Sequence, residues 1–273
     1  MTMQAVLSPF MKFFEYLYES TVEKIEGAGD FALHFFDIFY WTFKRPFRLK
    51  LFIDQLYFIG NKSLFIVALT SIFSGMVITY QTYIGMKVMG AYTLVGPIVV
   101  LTIAKELAPV FSAIIVAGRC GAAMAAQIGT MKVTEQIDAL EVMGISSRQY
   151  LGVPRVWATM IALPLLNLVF LFVANIGSWL VGVKVLGIEE AKYYSKLQAF
   201  VVPNVLWEGI IKAAVFGFLV GMIGTYHGFK VQGGAEGVGK GTNAAVVWGM
   251  IIILIIDYFL TNLLVPILYE VGV

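Results

Sequence analysis

The sequence predicts an all-α polytopic membrane protein with about five transmembrane helices, preceded by an N-terminal amphipathic, interfacial helical segment. Of its 273 residues, 59% are hydrophobic and only 13% are charged, whereas soluble domains carry about 25% charged residues. The mean hydropathy of +0.84 agrees with this deficit. Five apolar stretches each approach the roughly 20 residues that a helix needs to cross about 30 Å of hydrocarbon. This composition excludes a soluble enzyme, a disordered chain and a nucleic-acid-binding protein.

Residues 1–62 are predicted to form an N-terminal unit of amphipathic, interfacial helices. Residues 6–27 place apolar and charged side chains on two faces at helical spacing, and Gly27 and Gly29 are expected to end that helix. Residues 30–45 are rich in aromatic rings but also contain charged side chains, a mixture that favours the headgroup region. A core-packed pair of soluble helices is the alternative. The first residues lack the pattern of a cleavable signal peptide, so internal spans are expected to direct insertion.

Residues 63–273 are predicted to form a single transmembrane domain without an internal repeat. The predicted spans are residues 64–83, 93–117, 157–186, 210–226 and 244–268. Lys and Arg residues indicate their orientation, because cytoplasmic loops are enriched in them. The N-terminal segment, the loop between the second and third spans and the loop between the fourth and fifth spans together hold 13 Lys and Arg residues. The loops on the other side of the membrane hold 4. The distribution predicts a cytoplasmic N-terminus and an external C-terminus.

A short cytoplasmic helix is predicted over residues 134–144, in the loop between the second and third spans. Thr134 is a good N-terminal cap, Glu135 and Asp138 suit the first turn, and Gly144 suits the end. A short apolar stripe is formed by Ile137, Leu140 and Met143. Three helical turns are marginal alone, so the stripe must pack on something. Spacing alone leaves two possibilities open: the protein's own membrane ends, or a groove on a cytosolic partner.

Three charged residues lie within the predicted spans, Lys105 and Glu106 in the second and Asp257 in the last. Each charge at mid-bilayer costs about 2.5–3.5 kcal/mol. Neighbours on a helix point about 100° apart, so Lys105 and Glu106 are not suited to pair with each other. At least one is expected to face a polar cavity or a polar neighbour, unless the span is shifted and the pair lies near an interface.

Other polar residues in the spans have simpler interpretations. Gln81 is a candidate for hydrogen bonding between helices. Pro97 and Pro109 are expected to bend the second span and to free backbone carbonyls. Glu208 and Lys212, four residues apart, are interpreted as local support at the start of the fourth span.

The sequence contains no strong signal for catalysis, for a metal site or for nucleotide binding. A single cysteine, two distant histidines and the absence of a nucleophile–base pair argue against an enzyme and a metal centre. Residues 234–240 nearly match a phosphate-binding loop, but Gly241 stands where a hydroxyl residue would hold magnesium. The segment also joins two membrane spans rather than a strand and a helix. A tight, flexible cytoplasmic turn is the better interpretation.

Several motifs resemble the MlaE/YrbE family of ABC-transporter permeases. The match begins near residue 47 with Gln-Leu-Tyr at 55–57 and Gly-Met-Val at 75–77, and it continues with Lys-Glu-Leu-Ala-Pro-Val at 105–110. The most specific part is Val-Ala-Gly-Arg at 116–119 followed by Gly-Thr-Met-Lys-Val-Thr-Glu-Gln-Ile-Asp-Ala-Leu-Glu at 129–141. Gly-Val-Gly-Lys-Gly-Thr at 237–242 also matches, although alanine is commoner in the family where Gly241 stands.

The resemblance implies the permease subunit of an ATP-driven transporter that moves phospholipid or a similar hydrophobic lipid between membranes, for example to maintain outer-membrane lipid asymmetry. It implies an inner-membrane homodimer, two cytosolic ABC ATPases that bind the ATP and magnesium, and an external MCE-domain protein, often a hexamer. No catalysis, cofactor or nucleic acid is then expected in this chain. Lys105, Glu106, Asp257 and Gln81 are the candidates for the lipid path. The candidates for ATPase coupling are Thr134, Glu135, Gln136, Asp138, Ala139, Leu140 and Glu141.

The alternative from another functional class is an ion- or proton-coupled secondary transporter that uses Lys105, Glu106 and Asp257. Such transporters are commonly built from internal repeats. Five spans without a repeat make this alternative less favourable.

Overall fold

The computed structural model describes residues 26–200 and 203–269, and its described part is helical without strands. The chain divides into two compact units, residues 1–45 and residues 46–273. Five helices are long and apolar enough to cross a membrane, which confirms the predicted all-α polytopic fold. The orientation of the spans stays a prediction.

The described part of the N-terminal unit is one helix, α1, over residues 26–42. Gly27 and Gly29 lie within this helix, so the prediction that they end a helix is wrong. Each glycine destabilises a helix by about 1 kcal/mol relative to alanine, which does not prevent the helix from forming. The amphipathic helix predicted over 6–27 lies almost entirely outside the described residues. The rings of Phe35 and Phe39 stack with centroids 5.9 Å apart.

The membrane unit contains seven helices among its described residues. The five membrane helices are α2 (Leu49–Val88), α3 (Tyr92–Val133), α5 (Arg148–Val185), α7 (Asn204–Lys230) and α8 (Gly234–Tyr269). Between them lie α4 (Gln136–Val142), on the predicted cytoplasmic side, and α6 (Glu190–Phe200), on the predicted outer side. The sequence analysis did not predict α6.

Every membrane helix is longer than its predicted span, and α2 shows the largest difference. It begins at Leu49 rather than at residue 64, and it passes without a break through the predicted domain boundary between residues 62 and 63. The chain divides at Arg45 and Pro46 instead. Hydropathy detects only the part of a helix that suits hydrocarbon, so the more polar first turns of α2 carried no signal.

The core forms where α5 packs between α2 and α7, with the second half of α3 against α7. Small residues permit the closest approach, because a Cβ at Gly217 would lie 2.5 Å from the Thr159 carbonyl oxygen. One turn later, a Cβ at Gly221 would lie 2.7 Å from the Cα of Val156. The Gly-x3-Gly spacing of α7 therefore lets two helix backbones touch.

The last membrane helix, α8, has few buried residues. Its buried residues are Ala245, Gly249, Ile253 and Leu264. The helix begins at Gly234, so residues 237–242 are helical and not the flexible turn that was predicted. The turn is shorter, at Gly233 and Gly234, whose φ angles are 85° and 70°. A helical segment with no preceding strand cannot form a phosphate-binding loop.

Candidate functional site

A turn of π-helix in α3 positions the two predicted charges. Residues Ile103–Leu107 form this wider turn, which ends two residues before Pro109. Pro109 has no N–H to donate to the carbonyl of Lys105, four residues earlier. That carbonyl instead accepts a hydrogen bond of 3.1 Å from the Lys212 ammonium. The prediction that Pro109 frees a backbone carbonyl is therefore confirmed, and α7 supplies the donor.

The Lys212 side chain is the centre of a network of charged groups inside the membrane. It is fully buried, and its Nζ donates to Glu106 Oε2 at 2.7 Å and to Thr261 Oγ1 at 2.8 Å. With the Lys105 carbonyl, these partners use all three ammonium N–H groups. Asp257 Oδ1 lies 3.3 Å from the same nitrogen. Helices α3, α7 and α8 thus meet at one cation.

Lys105 is held by a second, adjacent set of contacts. Its Nζ lies 3.5 Å from Glu208 Oε2 and 3.9 Å from the centre of the Tyr269 ring. The Tyr269 hydroxyl donates to the same Glu208 oxygen at 2.8 Å. Lys105 and Glu106 therefore have separate partners, which confirms that they do not pair with each other and that each faces a polar neighbour.

Burial of the network is uneven. Lys212 and Glu208 are completely buried, whereas the side chain of Glu106 remains 36% exposed and that of Lys105 28%. Close contact of α7 with α3 explains the buried side, because a Cβ at Gly209 would lie 2.5 Å from the Ala104 carbonyl oxygen. A buried cation next to a partly exposed carboxylate and a partly exposed ammonium group can compensate the charges of a bound polar headgroup.

The structure brings together Lys105, Glu106 and Asp257, three of the four predicted lipid-path residues. The fourth, Gln81, is an exposed residue of α2, and in the described part of the chain it forms no hydrogen bond with the other three. Sequence analysis missed Lys212 and Glu208 as members of the site. Their spacing indicated a local pair, yet their carboxylate–ammonium distance is 3.8 Å, longer than the Lys212–Glu106 distance. One signal in the sequence could have identified them. A charged residue in or near a membrane span needs a compensating charge, and Glu208 and Lys212 both lie in or near the fourth predicted span.

The predicted cytoplasmic helix is shorter than residues 134–144, and its first turn differs. Thr134 ends α3 and donates to the Thr130 carbonyl at 2.8 Å, so its predicted role as the N-terminal cap of the next helix is wrong. Glu135 stands at the cap of α4 with a φ of 59°. The Thr134 hydroxyl makes the bond to the carbonyl four residues earlier that Ser and Thr commonly make in helices. The end at Gly144 is confirmed, with a φ of 73°.

The apolar stripe of α4 packs against the protein itself. Ile137 is buried and Leu140 is half-buried, in a cluster with Ile128, Leu151 and Phe229. Met143, the third predicted member, is 65% exposed, and Val142 is 89% exposed.

The other coupling candidates lie beside this exposed pair. Glu135, Gln136, Asp138, Ala139 and Glu141 are all exposed. Glu141 accepts a hydrogen bond of 2.7 Å from the Ser147 hydroxyl, which ties the end of α4 to the loop after it. The free surface of α4 is therefore acidic, with two exposed apolar side chains.

The described residues contain no group of three or more His, Cys, Asp and Glu side chains arranged for a metal ion. The free cysteine, Cys120, is buried and faces the Ser63 hydroxyl at 3.5 Å.

Comparisons with known proteins agree with these features. Residues 52–263 match the family model described as Permease MlaE. A probable ABC transporter permease protein of Rickettsia conorii is 41% identical over 243 residues, covering 89% of this chain and 94% of that protein. The intermembrane phospholipid transport system permease protein MlaE of Haemophilus influenzae is 34% identical, covering 80% and 84%. The chloroplastic protein trigalactosyldiacylglycerol 1 of Arabidopsis thaliana is 38% identical, covering 77% and 60%.

Proposed function

We infer the function from one premise, that the chain belongs to the MlaE family of ABC transporter permeases. We propose that it moves phospholipid, or a similar hydrophobic lipid, between membranes, as in the maintenance of outer-membrane lipid asymmetry. The name of the Haemophilus influenzae relative, a phospholipid transport permease, supports this cargo. The proposed location is the inner membrane, since five apolar helices require a bilayer.

The observation that carries the proposal is the half-open charged network in the bundle. A phospholipid headgroup has both a phosphate and polar or cationic groups, and in hydrocarbon it needs compensating charges along its path. Lys105 and Glu106 present an ammonium and a carboxylate at partly exposed positions, and Asp257 lies beside them. Lys212 holds the carboxylates in place from below. Gln81, further away on α2, stays a prediction as a residue of the path.

The proposed assembly follows from surfaces that the single chain leaves open. In the most apolar 18-residue stretches of α8 and α2, only 11% and 28% of the residues are buried. We therefore propose that a second copy of the chain covers part of these stretches in a homodimer. Two cytosolic ABC ATPases, which hold the ATP and magnesium, would dock on the acidic free surface of α4 and on Val142. An MCE-domain protein, such as a hexamer, would bind the outer side.

The test is lipid transfer by the full complex reconstituted in vesicles. Labelled phospholipid should move only with hydrolysable ATP. Glu106→Gln, which keeps the shape of the side chain and removes its charge, should slow transfer about tenfold or more without loss of the assembled complex. Glu190→Gln on α6 is the matched control, because Glu190 is exposed and outside the network. Normal transfer by Glu106→Gln would contradict the role of the network.

One observation favours a second candidate, the proton-coupled secondary transporter. Two ammonium groups, Lys105 and Lys212, meet three carboxyl groups, Glu106, Glu208 and Asp257, so the network has room for a proton. The same vesicles discriminate the two. Transfer that stops on collapse of the proton gradient and proceeds without ATP would establish the alternative and overturn the ATP-driven proposal.

A further inference from the structure

A second polar feature of the membrane unit lies away from the charged network, at the end of α5 next to α6. A cavity of about 650 Å³ opens there, between α3, α5 and α6, within the range of small-molecule sites. Its lining is mostly aromatic and aliphatic and has no charged side chain. The lining residues are Val100, Phe172, Asn175, Ile176, Trp179, Tyr193, Tyr194, Leu197 and Gln198.

Two polar atoms of the lining are buried and have no hydrogen-bond partner among the described residues. They are Asn175 Oδ1 and Trp179 Nε1. The amide of Asn175 is fixed in orientation, because its Nδ2 donates to the Leu171 carbonyl at 2.8 Å. The free atom is therefore an acceptor, and the indole supplies a free donor. Because the two residues are four apart on α5, they lie on the same face of the helix.

Unpaired polar atoms are unfavourable in hydrocarbon, where no water can satisfy them. One hydroxyl of the lining, that of Tyr193, is already 3.0 Å from Ser178 Oγ. An acyl chain alone would fill the cavity and leave both atoms unpaired. A phosphate or a carboxylate would accept from the indole but would have no proton for Asn175 Oδ1.

A single hydroxyl group has the required chemistry, because it accepts one hydrogen bond while donating another. We propose that the cavity binds an uncharged lipid that carries a free hydroxyl group, such as a diacylglycerol. Its hydroxyl accepts from Trp179 Nε1 and donates to Asn175 Oδ1, and its chain lies along Phe172 and Ile176. This site is separate from the proposed headgroup path and does not depend on phospholipid being the cargo.

The experiment compares two ligands on the full chain in nanodiscs. Dioleoylglycerol has the free hydroxyl, and its methyl ether can still accept from the indole but cannot donate. The wild-type protein should bind the alcohol about tenfold more tightly than the ether, the value of one hydrogen bond to an otherwise unpaired acceptor. Binding is measured by native mass spectrometry with a titration of each ligand.

Two variants separate the contributions of the two atoms. Asn175→Leu should weaken binding of the alcohol about five- to tenfold and abolish the preference, with binding of the ether unchanged. Trp179→Phe should weaken both ligands to a similar extent, since both accept from the indole. Asn262→Leu is the matched control, because Asn262 donates to the Tyr258 carbonyl at 2.8 Å in the same way but is exposed. A thermal denaturation curve verifies that each variant is folded.

Three results would overturn the proposal. The first is equal affinity of the wild-type protein for the alcohol and the ether. The second is an alcohol affinity that neither variant changes. The third is a crosslink, in the assembled transporter, from a photoreactive residue at position 176 to a partner's membrane helix with no lipid adduct, which would assign the cavity to a protein contact.

Discussion

Removing the central cation is the most discriminating perturbation of the charged network. Lys212→Met keeps an unbranched side chain of similar length, so its stem still packs between α3 and α8. The ammonium is lost, and with it the hydrogen bonds to Glu106, to Thr261 and to the Lys105 carbonyl. One cation, Lys105, then remains for three carboxyl groups.

The magnitude follows from how deeply Lys212 is buried. Its side chain has no exposed surface, and Glu106 and Asp257 lie 2.7 and 3.3 Å away. Breaking a buried ion pair by removing one partner destabilises a protein by about 3–5 kcal/mol, because the other charge stays buried. For a chain of this size, 1 kcal/mol shifts Tm by about 2–4 °C. We therefore expect Tm to fall by about 6–20 °C.

The assay is thermal denaturation of the purified protein in detergent, followed by size-exclusion chromatography of the soluble fraction. Lys196→Met is the matched control, because Lys196 is exposed on α6, and its Tm should change little. A second variant combines Lys212→Met with Glu106→Gln and Asp257→Asn. Only the balanced Lys105–Glu208 pair remains charged in it, so Tm should recover by more than half.

The reasoning would be refuted by a Lys212→Met protein with a Tm within about 2 °C of the wild type. It would be refuted equally by a combined variant less stable than Lys212→Met, because neutral carboxyl groups would then have brought no relief.

The other predictions concern helix packing and the cytoplasmic surface. Gly217→Leu should lower stability by about 1–3 kcal/mol or more, seen as a lower Tm, because its Cβ would meet the Thr159 carbonyl oxygen at 2.5 Å; an unchanged Tm would contradict the close contact of α5 and α7. Val142→Asp and Asp138→Arg should each abolish co-purification of the ATPase. The free energy of unfolding should change by no more than about 0.5 kcal/mol, since both side chains are exposed on α4. Retained co-purification would exclude α4 as the docking surface. Leu140→Asp should lose the ATPase and also lower Tm, because Leu140 packs in the core beneath α4; a normal Tm would show that this packing contributes nothing.

Several elements were predictable from local properties of the chain. Membrane spans require long apolar stretches, so all five were found, although each was placed too short. The end of α4 at Gly144 was found because a left-handed residue with no side chain is a common end of a helix. The consequence of Pro109 was found because the missing N–H is a property of the residue itself.

Other features were not predictable because they depend on residues far apart in the chain. Glu208 and Lys212 look like a local pair, yet Lys212 bonds Glu106 across 106 positions and Thr261 across 49. Thr134 has the chemistry to bond to either neighbouring helix, and in the structure its hydroxyl donates to the Thr130 carbonyl of α3. The apolar stripe of α4 was equally suited to the protein's own core or to a partner until Phe229 and Leu151 were found beneath it.

By itself, then, the amino-acid sequence determined that this protein is an all-helical membrane protein with five spans and charges inside the bilayer. These features depend on local quantities: the composition, the length of each apolar stretch and the N–H groups that prolines lack. Only the tertiary structure decided which charges meet, that Lys212 is their centre, and which face of α4 is free. Those outcomes depend on the distances between side chains of different helices. Such distances arise only when α3, α7 and α8 pack together, with backbones close enough to touch at Gly209.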